Sequence, residues 1–392
     1  MQFKNQKHQM TSQNRSKAKL SRRERFCRLY DFQKVDRPPR WEAVAFWGET
    51  LEEWKAQGKF AKDADVYADV WRHFDIEPRP TVYAGLGFTS MALSGPPVQS
   101  RVIETKGNEN VMENDLGQVW RVRTDGVSMP QWIRFPVENH SDWLNKIKPR
   151  LDPLSHNYDN FNIHYEQSSQ VVPASAKDEV DDDPLLFGIV GLYAFWRNFW
   201  GEEKLAYAFY DYPDTLHDMA RTWLRMHCEC SPKVFQKLRF DAVFFHEDMA
   251  FKNGPLIGPD MFDEFMAPYY RELFSHLKLF KQHRFLLDSD GNNGLVLDRF
   301  AGLGMNGLYP FEAAAGCDAI GFARAHPGFV VFGALDKRAL LKGREEIKRE
   351  IMDKVPVLWE HEGFFPSFDH SIMPCAYENF IYALDIIRDL TV

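Results

Sequence analysis

Between residues 185 and 370 the chain repeats one pattern: a nearly continuous apolar run of strand length, closed by an acid or a histidine, then a segment long enough for a helix. The runs are 185–190, 240–245, 285–287, 306–311, 329–334 and 363–368. They end before His246-Glu247-Asp248, Asp288-Ser289-Asp290, Glu312, Asp336 and Asp369-His370, the run at 185–190 leading instead into the aromatic stretch from Tyr193 to Trp200. Unbroken apolar runs suit strands buried on both faces, and helix-length spacers are what parallel pairing requires. The pattern predicts a (β/α)8 barrel with its site on the C-terminal face, an open doubly wound sheet being the alternative.

Ahead of this rhythm the pattern is less regular. Residues 1–20 are polar and basic and predict a disordered tail, leaving 21–392 as a single barrel domain. Ser21 is placed to cap a helix carrying Phe26, Leu29 and Tyr30, residues 41–46 read as a first strand, and Thr50 reads as the cap of a helix over 51–54. From about 75 to 183 short segments broken by Gly and Pro, such as Gly85, Gly87, Gly95 and Pro96, predict an inserted antiparallel unit with strands at 119–122 and 131–135. Its polar end, 154–183, carries the acids Asp178, Glu179 and Asp181 to Asp183 and reads as a surface loop.

A net charge of −8 over 392 residues provides no basic field for nucleic acid. No apolar run approaches membrane-spanning length and the N-terminus lacks a signal peptide's apolar core, so a cytoplasmic protein is expected. Five cysteines, an odd number, do not form a disulfide scaffold and fit a reducing compartment. Gly85-x-Gly87 lacks the third glycine of a dinucleotide fingerprint, and there is neither a P-loop nor a Gly-x-Ser-x-Gly elbow.

The strand-end acids and histidines are the candidate chemistry. Only alternate residues of a strand face a barrel axis, so a subset of them converges on the mouth. Carboxylates and imidazole can hold zinc, or work without metal as acid, base or substrate-orienting groups. Arg197, Arg324, Lys337 and Arg338 can pair with the acids or grip an anion. His227-Cys228-Glu229-Cys230 resembles a metal cluster, but on a helix Cys228 points about 100° away from the face shared by His227 and Cys230, so a structural role is expected. Cys317 and Cys375 are expected as buried, apolar-like residues, with thiolate ligation as the alternative.

Residues 246–257, 259–268, 288–292, 310–316, 332–337 and 368–370, followed by Tyr377-Glu378-Asn379, resemble the uroporphyrinogen decarboxylase superfamily, especially its decarboxylase-like and corrinoid methyltransferase branch. Asp36-Arg37-Pro38 and the stretch from Asp142 to Asp152 fit as well. The resemblance implies a (β/α)8 barrel and one of two chemistries. The tetrapyrrole decarboxylases use an Arg-rich N-terminal segment, whereas this chain continues after Arg40 as Trp-Glu-Ala-Val-Ala-Phe-Trp. Thiol-activating methyltransferases place a His-x-Cys pair where this chain has Asp288 and Asp290. The resemblance therefore implies a methyltransferase that demethylates a small, methoxylated aromatic donor onto a corrinoid carried by a partner protein, through zinc held by Asp288, Asp290 and His370. In that expectation Glu247, Glu312 and Asp336 are catalytic, and Trp47, Tyr193, Trp196, Arg197 and Asn292 bind substrate. A metal-independent carboxy-lyase is the alternative, and a non-catalytic corrinoid or tetrapyrrole binder the third. Small-molecule substrate and a corrinoid-binding protein are the partners expected, and a homodimer is the assembly considered.

Overall fold

A computed structural model describes residues 20–83, 99–124, 130–153, 162–165, 171–173 and 182–391. The tail expected at 1–20, the glycines of 84–98 and the acidic run from Asp178 to Asp181 lie outside the described residues, apart from Leu20. Among the described residues seven strands form one curled parallel sheet in sequential order: β1 Pro80–Tyr83, β2 Leu186–Val190, β3 Ala242–His246, β4 Phe285–Asp288, β5 Gly307–Phe311, β6 Val330–Leu335 and β7 Phe364–Phe368. Two antiparallel strands, Asn162–Tyr165 and Val171–Pro173, extend the β1 edge. The expected first strand at 41–46 is extended backbone with a single parallel bridge, Phe46 to Ile372. It bonds on one side to Phe368 and Ile372 through the carbonyls of Glu42 and Ala45, and on the other the Arg40 carbonyl receives Glu77 N–H at 2.9 Å. Between β1 and β2 the chain builds a separate four-stranded antiparallel sheet over Ser100–Lys106, Glu109–Asn114, Val119–Arg123 and Gln131–Arg134.

Period-two alternation sorts the strand residues into two packed layers. Leu186, Ala242, Phe244, Leu286, Tyr309, Val330, Phe332 and Phe365 point to the concave interior, while their neighbours Phe187, Val243, Phe245, Leu287, Val331 and Phe364 pack outward beneath helices. The interior is filled by aromatic rings, with Phe332 stacked on Phe365 at 3.9 Å and on Trp41 at 5.7 Å between centroids. Each such ring contributes roughly 1.5–3 kcal/mol by leaving water.

Helix Arg22–Tyr30 closes the N-terminal end of the sheet. Ser21 caps it as the sequence predicts, accepting Glu24 N–H at 3.1 Å while Glu24 accepts Ser21 N–H at 3.0 Å. Its Phe26, Leu29 and Tyr30 enter the interior layer, and Arg23 and Asp31 pair with Asp241 and Arg284 at the starts of β3 and β4. A Cβ on Gly307 would lie 2.7 Å from the Tyr30 hydroxyl, so the first residue of β5 has no room for a side chain.

Thr50 departs from the expected cap. The helix runs Gly48–Ala56 behind Trp47, and the buried Thr50 hydroxyl donates to the Ile372 carbonyl at 2.8 Å. Among the described residues no helix is long and apolar enough to cross a membrane.

Candidate active site

Alternation decides which strand-end groups reach the mouth. On β3, inward Ala242 and Phe244 make His246 the next inward position and Glu247 an outward one; on β4, inward Leu286 makes Asp288 inward. Register sets Asp288 beside His246, and the His246 Nδ1 to Asp288 Oδ2 distance is 2.7 Å. Burial opposes charge on His246, but the Asp288 carboxylate outweighs it and the imidazole pKa is raised.

A second pair lies two residues on. Ser289 is buried, its hydroxyl accepting Met249 N–H at 3.1 Å and standing 2.8 Å from Asn293 Oδ1. Asp290 then meets His370, whose Nε2 is 2.9 Å from Asp290 Oδ2. The bond from Asp290 raises the His370 pKa against the opposing effect of burial.

Further contacts extend the second pair into a ring over the ends of β4 to β7. Glu312 accepts Gly291 N–H at 2.7 Å and lies 3.7 Å from Lys337 Nζ. Lys337 Nζ is 4.0 Å from Asp369 Oδ1, and Asp369 accepts the peptide N–H groups of Ala314 at 2.7 Å and Lys337 at 3.2 Å. Burial holds the Asp369 carboxyl above its ordinary range even against those donors and Lys337. Asp369 precedes His370, which returns the ring to Asp290.

Glu247, expected among the catalytic residues, is placed in a helix cap. It is fully buried, and its oxygens accept the N–H groups of Leu192 at 2.9 Å, Tyr193 at 2.7 Å and Ala194 at 3.1 Å, with a further bond from the Tyr270 hydroxyl. It therefore caps helix Leu192–Trp200 from a neighbouring strand, where Gly191, the residue at the cap position, has no side chain to do so. A Cβ on Gly191 would lie 2.2 Å from Glu247 Cδ, so the close approach requires glycine. Burial pushes the carboxyl pKa up to about 7 in spite of the donors.

As they stand, Asp288, Asp290 and His370 are not gathered as one donor set: one oxygen of Asp288 is turned to His246 and one of Asp290 to His370. Among the described residues no three of His, Cys, Asp and Glu are gathered as a metal site. Cys375 is buried with its thiol pushed up to about 12 by burial, and burial likewise raises Cys317, whose Sγ donates to the Gly291 carbonyl at 3.3 Å. His227 and Cys230 lie buried on helix Pro213–Phe235 and Cys228 is only partly covered, as the helical spacing predicts; burial holds the His227 pKa down at about 3.

The family model described as uroporphyrinogen decarboxylase (URO-D) matches residues 201–385, the part of the chain that supplies β3 to β7 and this ring. Residues 201–385 thus carry the likeness to the uroporphyrinogen decarboxylase family. A methyltransferase from Methanosarcina mazei aligns over 95% of this chain and 99% of its own, with a TM-score of 0.56 at 15% identity. A B12-independent methionine synthase from Shewanella sp. W3-18-1 aligns over 59% of this chain and 72% of its own, with a TM-score of 0.36 at 11% identity. At 15% identity the likeness to the Methanosarcina protein is one of fold. No curated protein matches the sequence.

Elsewhere in the fold the other expected site residues scatter. Asp336 faces away from the ring: Arg338 donates to it through its backbone at 2.9 Å and its guanidinium at 2.6 Å, and these bonds hold its carboxyl low against the effect of burial. Trp196 is a core residue, its indole N–H donating to the Leu216 carbonyl at 3.2 Å and its ring packed on Phe209. Tyr193 is also buried, burial raising its pKa. Arg197 Nη1 binds both the carbonyl of Asp248 at 2.7 Å and its carboxylate at 2.9 Å. Asp248 itself has a φ of 43°, in the left-handed region that Asp adopts more readily than most non-glycine residues. Asn292 accepts Gly294 N–H at 3.0 Å, turning the chain into the next helix. Trp47 is exposed beside Ile372, two residues past His370. His246 and Lys337 carry more of the site than the sequence assigned them; the alternation Ala242, Phe244, His246 was the available signal for the first.

Proposed function

We propose that this chain is a methyltransferase that takes a methyl group from a small methoxylated aromatic donor, with a corrinoid on a partner protein as acceptor, and that its two His–Asp pairs supply the acid–base chemistry. The observation that carries this reading is the presence at one mouth of two imidazoles, each with its pKa raised and each paired with a carboxylate. When an aryl ether gives up its methyl group, the electron pair of the broken C–O bond remains on oxygen, and that oxygen needs a proton. An imidazolium whose pKa is raised above the ordinary histidine value by a paired carboxylate can act as a general acid. His370, the more exposed of the two, delivers the proton; Asp290 stabilises its charged form before transfer, and solvent recharges the ring afterwards. His246 and Asp288 hold the adjacent edge in a fixed, paired state. The corrinoid, when docked, supplies the electron pair that receives the methyl group.

The superfamily assignment and the shared fold of a methyltransferase support the reading. Residues 40–47, bonded toward both β7 and the lead into β1, take the eighth place of the barrel in this proposal. The test is to incubate the purified chain with reduced cobalamin and a series of methoxybenzoates and to measure phenol release. Phenol formation that falls about 100-fold in H370N is expected. The carboxy-lyase reading is supported by the uroporphyrinogen decarboxylase family model over residues 201–385; carbon dioxide release in the presence of a chelator, without phenol, would establish it. Stoichiometric zinc in the purified protein, with activity lost on its removal, would restore the zinc set of Asp288, Asp290 and His370. Cobalamin or porphyrin binding without any turnover would leave the binding-protein reading.

A further inference from the structure

At the opposite end of the extended run 40–47 from Trp47 and the mouth, where the last helix, Tyr377–Leu390, also ends, the fold leaves a recess of about 300 Å³, its open side included. Arg37, Arg40, Glu42 and Arg388 line it between apolar walls such as Pro366 and Ile387. Glu42 is 3% exposed; its Oε1 accepts Arg388 Nε–H at 2.8 Å, while its Oε2 has no hydrogen-bond partner among the described residues. Arg40 Nε is likewise a buried atom without a partner among the described residues, although Nη1 of the same guanidinium meets Asp75. Arg37 is held by Glu77 at 2.5 Å, and Arg388 also donates to the Phe74 carbonyl at 2.8 Å. Within the lining three guanidiniums face one carboxylate; Glu77 and the solvent-exposed Asp75 balance them from outside it. Burial, then the charges of Arg388 and Arg37, lower the Arg40 pKa against the pull of Glu42 and Glu77. The recess therefore presents one donor on a cation and one acceptor on an anion, both desolvated and both costly to leave unbonded.

We infer that this recess binds a small oxyanion that carries its own hydroxyl, hydrogen phosphate or bicarbonate. One oxygen of such an ion accepts from Arg40 Nε and is drawn by the cationic lining, and its hydroxyl donates to Glu42 Oε2. Sulfate matches the tetrahedral shape of phosphate, and nitrate the planar shape of bicarbonate, but neither carries a proton near neutral pH. Each therefore brings an oxygen lone pair against the Glu42 carboxylate and leaves Oε2 unbonded, which is how a site of this kind selects between ions of one shape. Water bonds both ways as well, but brings no negative charge to the guanidiniums.

The experiment is calorimetric titration of the full-length protein, at neutral pH and constant ionic strength, with phosphate, sulfate, bicarbonate and nitrate, repeated for E42Q and R40K. At least one hydroxyl-bearing ion is expected to bind wild type about 10-fold or more tightly than the ion of matching shape, the worth of a charge-assisted bond. Whichever of phosphate and bicarbonate does so is the occupant. E42Q, whose amide can donate as well as accept, is expected to remove the preference by admitting sulfate or nitrate. R40K, which keeps the charge and removes Nε, is expected to weaken the preferred ion about 10-fold, and it carries the test if E42Q does not fold. Absence of binding by both hydroxyl-bearing ions, equal binding within each matched pair by wild type, or an affinity and preference left intact in folded R40K and E42Q would overturn the inference. A crystal grown from the preferred ion that shows only water between Arg40 and Glu42 would do the same. The recess lies apart from the mouth, so none of these outcomes depends on the proposed methyl transfer.

Discussion

The two His–Asp pairs are made of the same groups, stand two residues apart on one strand end, and differ in how they are enclosed and in how the fold brings them together. His246 and Asp288 are 15% and 16% exposed, against 32% and 40% for His370 and Asp290. The first pair joins adjacent strands, so register alone brings it together. The second joins β4 to β7 and depends on two loops meeting. Removing one partner from a poorly solvated pair leaves a charge with little to stabilise it, whereas water takes over that role for an exposed pair. One pair is thereby a fixture of the fold and the other a group free to exchange its proton.

The largest expected effect tests that asymmetry directly. D288N should lower unfolding stability by about 3 kcal/mol at neutral pH, read from urea denaturation, because it leaves His246 without its counter-charge. Equal destabilisation by D288N and D290N would erase the distinction between the pairs. D290N should cost no more than about 1 kcal/mol of stability, yet slow phenol release about 100-fold and move the alkaline limit of activity to lower pH, since His370 then loses its proton sooner.

The pH dependence is smaller and has a definite sign. Both imidazoles have folded pKa values above the ordinary one. The stability they contribute is therefore complete below about pH 6.5 and fades as the pH rises through their folded values. Imidazole chemical shifts should give two midpoints above that of free histidine, with only the His246 midpoint falling in D288N. The smallest effect is that of salt: near 1 M, where screening reaches about 3 Å, the His370 midpoint should drop while that of His246 holds. A larger drop for His246 would place the more enclosed pair on the wrong side of the comparison.

The parallel strands were legible because strands buried on both faces read as apolar runs; the predicted 285–287 and 329–334 differ from the observed Phe285–Asp288 and Val330–Leu335 by one residue. The site was legible as a set of residues and not as a set of pairs. Asp290 and His370 are 80 positions apart, and nothing local to either specifies the other. Glu247 and Glu312 look alike in sequence, each an acid after an apolar run. Yet Glu247 falls on the outward phase of its strand and caps a helix, while Glu312 joins the ring through Gly291 and Lys337. Strand phase, counted from the interior residues, separates them; composition does not. Thr50 was misassigned for a related reason: its partner is a carbonyl at residue 372, and a hydroxyl beside a helix start reads as a cap when the distant acceptor is unseen.

The contact between Gly191 and Glu247 limits how the mouth can be remade. Any side chain at 191 displaces the carboxylate beneath it, and any shorter residue at 247 abandons three peptide N–H groups, so each position restricts the other. In sequence space the two form a locked pair. A mutant library aimed at new donors should vary Trp47, the exposed ring near His370, and should change 191 and 247 together or leave both alone.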